Sequence, residues 1–247
     1  MRSTITTETL QKIFTFPFKD ERWASKFTLG SLFYFLGILI VPGLFVSGYS
    51  YEIMRRIIVD KAEPSLPEWD DYGKYLQDGF KIFGVTLIFG SPALMFILPY
   101  FALIFLLPLI SMSEETSAAF FAVFPLTFVL IIIGSLVGFV FGIFGLAAKA
   151  HMVAKGEFAA AFRVREWGPI FRKNMGGFLL GYLLIIAMGS VIGIAVQFLM
   201  LTVVLCLLVP LLMLVVHFYT VIVSSALFAQ AYVDGVENLA SAESEIE

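Results

Sequence analysis

Residues 48–79 read GYSYEIMRRIIVDKAEPSLPEWDDYGKYLQDG. This polar stretch, with Arg55-Arg56 and the run Pro67-Glu68-Trp69-Asp70-Asp71, interrupts a chain that is apolar on both sides of it. Pro64 and Pro67 stop a helix, because proline lacks an N–H and pushes the residue before it out of helical space. Glu68, Asp70 and Asp71 place negative charge where a new helix would begin, beside its unpaired N–H groups. Trp69, Tyr72, Tyr75 and Leu76 then recur at helical spacing, which predicts a short amphipathic elbow lying on a membrane surface.

Composition says what surrounds this stretch. Of 247 residues, 60% are hydrophobic and 14% charged, against about 25% charged in soluble globular domains. The chain holds 27 phenylalanines and its mean hydropathy is +0.93. Several apolar runs reach the ~20 residues that cross a hydrocarbon core. They are continuous rather than alternating, which argues against a β-barrel. The first residues lack the apolar core and small-residue cleavage site of a signal peptide, so the first hydrophobic segment is expected to be retained. Cys206 is the single cysteine, which excludes an intramolecular disulfide and a thiol metal cluster.

Working outward, the expected fold class is all-α: a polytopic membrane helical bundle of about six transmembrane helices, arranged as three hairpins. An amphipathic interfacial elbow is expected before each. The elbows are placed at 8–26, 64–79 and 156–174, and the hairpins at 27–60, 80–150 and 176–234. Together they form one integral membrane domain, residues 1–235, followed by an acidic tail, 236–247. Pro42-Gly43 breaks the first apolar run. That run reads either as one kinked span or as a tight hairpin with arms near 24–40 and 43–60. SMSEETS (111–117) is a polar tip between two long arms, the second carrying Gly134, Gly138, Gly142 and Gly145. Residues 176–232 carry no charge. As a single helix they would run near 85 Å at about 1.5 Å per residue, so they must fold back, between 197 and 210. Glu166-Trp167 lies 98 residues after Glu68-Trp69, and Gly177-Phe178 lies at the same offset from Gly79-Phe80. That is the trace expected of a repeated elbow-and-hairpin unit.

Charge sets the orientation. The 16 Lys and Arg residues fall in the N-terminal segment, in 55–81 and in 149–173. If residues 27–60 form a hairpin, all of them lie on one side, and cytoplasmic loops are where Lys and Arg concentrate. A cell-membrane protein with both termini cytoplasmic is therefore expected.

The residues also carry a likeness. Gly48-Tyr49, Arg55-Arg56, Pro67-Glu68-Trp69-Asp70-Asp71 and Asp78-Gly79 resemble domain-of-unknown-function family 4013. Phe16-Pro17-Phe18, Asp20 and Trp23 resemble its N-terminal pattern. The resemblance implies a multi-pass membrane fold of archaeal and bacterial type, and it implies no catalytic residue.

Little chemistry is legible. Charge is absent from 82–113, 116–148 and 174–233, which argues against an ion- or proton-coupled transporter, whose carboxylates would sit near the midplane. Gln197 and His217 are the polar side chains at membrane depth that stand out. Gln197 reads as interhelical glue or as part of a tip; His217 reads as a neutral imidazole bonded to a neighbour, or a relay. No histidine and cysteine spacing resembles a metal site. No cofactor is expected and no nucleic acid. Arg55, Arg56, Trp69, Asp70, Asp71, Arg163, Arg165, Trp167, Arg172 and Lys173 are candidate contacts for partners or anionic headgroups at the cytoplasmic face. The expected function is a non-enzymatic scaffold, assembly factor or partner-binding subunit, alone or in a homo- or hetero-oligomer. The alternative is a transporter or channel for lipid-like or apolar cargo. A lipid-acting enzyme would have only Glu68, Asp70 and Asp71 to use.

Overall fold

The computed structural model describes residues 6–37, 40–110, 116–202 and 208–244. Most of the expected tip at 111–117, and Cys206 in the second tip, lie outside them. Every regular element among the described residues is helical. Helix α1 (Thr7–Thr15) starts at Thr6, whose hydroxyl accepts from the Thr9 N–H. A 3-10 turn (Phe16–Lys19) leads to α2 (Trp23–Leu36) and α3 (Val41–Ile58). Helices α4 (Tyr72–Ile110) and α5 (Thr116–Lys155) follow, then a 3-10 turn (Phe158–Phe162), α6 (Val164–Lys173), α7 (Met175–Met200) and α8 (Val209–Ser244).

Among the described residues, four segments are long and apolar enough to cross a membrane: Tyr72–Ala102, Pro125–Lys155, Met175–Met200 and Val209–Ser244. Helices α2 and α3, with 14 and 18 residues, are not among them. A helix of 14 residues rises only about 21 Å at 1.5 Å per residue, short of a hydrocarbon core of about 30 Å.

The first apolar run is two helices, not one kinked span. Ile40 takes a left-handed φ of 64°, and Pro42 sits in the first turn of α3, where its missing N–H costs nothing. The two helices then pack on each other, with the Phe33 and Phe45 rings stacked at 5.0 Å.

Residues 59–71 hold no helix, so the elbow expected at 64–79 is built differently. The Asp71 carboxylate accepts from the Lys74 N–H at 2.9 Å and caps α4. Trp69 therefore precedes the helix, and the helical spacing read from Trp69 to Leu76 applies only from Tyr72 onward. Residues 64–67, with Pro64 and Pro67, carry no helix, and the Trp69 ring beyond them stacks on Tyr49 of α3 at 4.3 Å.

The chain forms two compact units, residues 85–145 and the rest. In the smaller one, α4 and α5 run together. Gly134 faces Phe96 and Ile97, and Gly138 faces Ala93, so these glycines let two helices of the same chain approach closely. In the larger unit α8 is the spine, packed by α2, α3, α6 and α7. Its Phe218, Ile222 and Leu227 are fully buried, together with Tyr49 and Phe178. Helices α3 and α4 meet backbone to backbone. Gly48 faces the Tyr75 carbonyl, and Gly79 the carbonyl of Leu44.

Candidate functional site

Along α3, Gly43, Ser47, Ser50 and Met54 recur at the three- and four-residue spacing of one helix face. From Gly43 to Met54 that face runs about 16 Å. Opposite it, α8 presents Val221, Ser224, Ser225 and Phe228 at the same period. Tyr34 and Gly37 close the α2 end, Ile82 comes from α4, and Leu146 and Lys149 come from α5. Between these walls lies a cavity of about 580 Å³, in the range of ligand sites, about 300–1,000 Å³.

Its polar groups are few and their protons can be followed. The Ser225 hydroxyl donates to the Val221 carbonyl at 2.6 Å, so it accepts from Ser50 Oγ, also at 2.6 Å. Ser47 donates to the Gly43 carbonyl at 3.1 Å and Ser224 to Val221 at 3.0 Å. These serines have given their protons to carbonyls or to each other, the usual habit of serine inside a helix. Lys149, half-buried, brings the only charged side chain of the lining, with three N–H donors.

Two polar networks brace the helices around it. Lys26, 4% exposed, bonds Asp20 Oδ2 at 2.6 Å, Glu68 Oε1 at 2.8 Å and the Leu66 carbonyl at 3.2 Å. Arg22 joins Glu68 at 2.7 Å. The Tyr49 hydroxyl donates to the Pro67 carbonyl at 2.9 Å, Trp69 Nε1 to the Lys26 carbonyl at 3.3 Å, and Tyr75 to the Glu68 carbonyl. The loop at 59–71 is thus tied to α2, α3 and α4 at once. The Lys26 ammonium bonded to Glu68, with Arg22 nearby, holds that carboxyl below its ordinary range. Burial pushes Asp20 upward, but its bonds to Lys26 and to the Arg22 N–H, with both cations close, leave it lowered.

The second network joins α5, α6 and α8. His151, 2% exposed, meets Tyr232 Oη through Nδ1 at 2.7 Å and Glu166 Oε2 through Nε2 at 3.1 Å. A neutral imidazole satisfies both: Nε2–H donates to the carboxylate, and Nδ1 accepts the Tyr232 proton. The His151 bond, helped by Arg163, holds Glu166 below its usual range. Asn174 adds a bond from Nδ2 to the Ala231 carbonyl at 2.8 Å.

The residues singled out in the sequence are dispersed. Arg55, Arg56 and Lys74 converge on Glu52 rather than on the acidic run 68–71, with Lys74 at 2.8 Å. Asp70 is exposed, and Asp71 is the cap already described. Trp167 is buried against protein, and its Nε1 donates to the Ala161 carbonyl at 3.0 Å. Trp69 is half-buried in the aromatic cluster around Tyr49. Arg165, Arg172 and Lys173 are exposed on α6, and Arg163 pairs with Glu157 at 2.8 Å. Gln197 is exposed near the end of α7. His217 is exposed too; its Nδ1 donates to the Met213 carbonyl at 2.7 Å within its own helix, and its ring stacks on Tyr34 at 5.3 Å. Sequence reasoning passed over Lys149, the serines and Lys26. The available signal was the phase of Ser47 and Ser50 on α3 and of Ser224 and Ser225 on α8.

Regular elements that are all helical and four helices fit to cross a membrane, among the described residues, have the character of a membrane protein. The chain belongs to the family described as protein of unknown function, DUF4013, which matches residues 31–205. No curated protein and no solved structure matches it.

Proposed function

We propose that this is a multi-pass protein of the cell membrane, without catalytic chemistry of its own, that takes a lipid-like molecule into the cavity between α3 and α8, as a carrier or transporter does. The observation that carries this reading is the cavity itself: about 580 Å³ with apolar walls and a small number of placed polar groups, the make-up of a ligand site. A filled core would favour the scaffold reading instead. The exposed apolar side chains that a scaffold would offer to a partner, such as Leu98, Phe105 and Phe198, are what helices facing lipid also display. The acidic run that an enzyme would use is occupied: Glu68 is held by Lys26 and Arg22, and Asp71 caps α4.

The proposed arrangement keeps three hairpins but makes the first one shallow. Its α3 arm packs on the start of α4: Leu44, near the turn, faces Gly79, only about 10 Å along α4 from Tyr72. Helices α2 and α3 then enter and leave the bilayer from one face, while α4, α5, α7 and α8 cross it. Four crossings, like six, return the chain to its starting side. All the basic segments and both termini thus fall on the cytoplasmic face. The exposed Arg165, Arg172 and Lys173 of α6 are available there to anionic headgroups.

Lipid carriage is tested by purifying the protein in mild detergent and quantifying co-purified lipids by mass spectrometry, beside a Ser224→Phe variant that fills the cavity. The wild type is expected to retain a stoichiometric amphiphile that the filled variant loses. Equal lipid content in both would overturn the reading.

A further inference from the structure

We infer that the outward face of α6 binds a membrane lipid whose headgroup carries two phosphates, one held by Arg165 and the other by Arg172 and Lys173. This rests on the proposed placement of α6 at the cytoplasmic face, and not on what the cavity holds. Arg165 and Arg172 lie two turns apart on one side of the helix, about 10 Å along its axis. Lys173 follows Arg172, and all three are exposed. Trp167 and Ile170, on the opposite side of α6, are buried, and Asn174 just past its end bonds the Ala231 carbonyl of α8. The helix is thereby fixed with its basic face outward.

The carboxylates nearby are engaged elsewhere. Glu157 pairs with Arg163 at 2.8 Å, and Glu166 with His151 at 3.1 Å and Arg163 at 3.8 Å. Helix α8 packs behind α6, with Gly235 against the Ile170 carbonyl. There Asp234 is buried and bonded to Gln230, and Glu237 is exposed. Among the described residues, none of these four carboxylates pairs with Arg165, Arg172 or Lys173.

Between the two basic ends lie Gly168 and Pro169, neither with a long side chain. A Cβ at Gly168 would touch only the Val164 side chain, at 3.9 Å. The middle of the face is therefore a shallow saddle with room for the glycerol that bridges two phosphates. Guanidinium groups grip phosphate oxygens in pairs. Once one phosphate is bound, the second is delivered at high effective concentration, which a lipid with a single phosphate cannot match. Val164 and Met175, 56% and 51% exposed, offer apolar surface to the acyl chains at either end.

The test titrates the full chain, in mild detergent, with cardiolipin, phosphatidylglycerol and phosphatidylcholine, and counts bound lipids by native mass spectrometry. Cardiolipin is expected to bind at concentrations at least about fivefold lower than phosphatidylglycerol, the scale of one further basic contact. Arg165→Gln alone, or Arg172→Gln together with Lys173→Gln, should bring cardiolipin to the level of phosphatidylglycerol. Gly168→Glu, which sets a carboxylate in the open saddle, should do the same. Equal binding of cardiolipin and phosphatidylglycerol to the wild type would overturn the two-phosphate selection. A cardiolipin preference that survives every variant would overturn its assignment to α6. Labelling of Lys173→Cys, in a Cys206→Ala background, by an impermeant maleimide on intact cells would overturn the cytoplasmic placement and this site with it. None of the mutated residues lines the cavity, so lipid carriage there stands or falls separately.

Discussion

Gly79 on α4 lies against the backbone carbonyl of Leu44 on α3, with no room between them for a side chain. Gly48 meets the Tyr75 carbonyl one turn further along. This close approach seats the first hairpin on the first turns of α4 and so forms one wall of the cavity. Gly79→Leu is expected to destabilise the protein by about 1–3 kcal/mol or more, the cost of forcing extra atoms into a packed contact. Gly90, with open space around it, is the control, and Gly90→Leu should unfold near the wild-type temperature. Thermal unfolding in detergent, read by circular dichroism, checks both.

Acid should loosen the loop at 59–71. Glu68 and Asp20 both have carboxyls lowered in the fold by Lys26. A carboxyl lowered on folding contributes stability that is present above its unfolded value and lost as pH falls through its folded value. The loss is therefore expected below the ordinary carboxylate range, about pH 4, and not near neutrality. Lys26→Met should flatten this part of the profile. Limited proteolysis at Lys61 as a function of pH reads it out, and a wild-type profile flat down to pH 3 would contradict the role given to Lys26.

The His151 network predicts a structural penalty. His151→Phe strands the Tyr232 hydroxyl and removes the partner of Glu166, at a cost of about 1–3 kcal/mol. Tyr232→Phe, which removes the donor and strands only one lone pair, should cost less. Because His151 does not line the cavity, lipid content of the folded fraction should stay unchanged in both variants. A variant that keeps its stability but loses its lipid would move His151 from bracing to binding.

Orientation can be read by cysteine labelling in a Cys206→Ala background. Thr202, at the end of α7, and Glu237, near the end of α8, are expected on opposite faces. An impermeant maleimide applied to intact cells should label Thr202→Cys and reach Glu237→Cys only after permeabilisation. Labelling of both without permeabilisation would contradict the crossing of α8.

The long arms, the hairpin break at Pro42-Gly43 and the family likeness were legible because each depends on residues close together in sequence. Continuous apolar runs report the solvent, and proline with glycine reports the break. The elbow at 64–79 was only half legible. Trp69 has helical spacing to Tyr72 and Leu76, but Pro67 before it and the Asp71 cap after it decide where α4 begins. Lys26 read only as one basic residue of the N-terminal segment, and its burial by Asp20 and Glu68 depends on a partner 42 residues away. Lys149 read as one more topology charge. Its place in a cavity depends on four other helices, and nothing local in the sequence marks it.

The most direct measurement of the central claim is an experimental structure of the protein in native-lipid nanodiscs. The account predicts an elongated density along Gly43, Ser47, Ser50 and Met54, in the space between α3 and α8. A cavity closed by the side chains of α3 and α8, with no space left between Ser50 and Lys149, would contradict it.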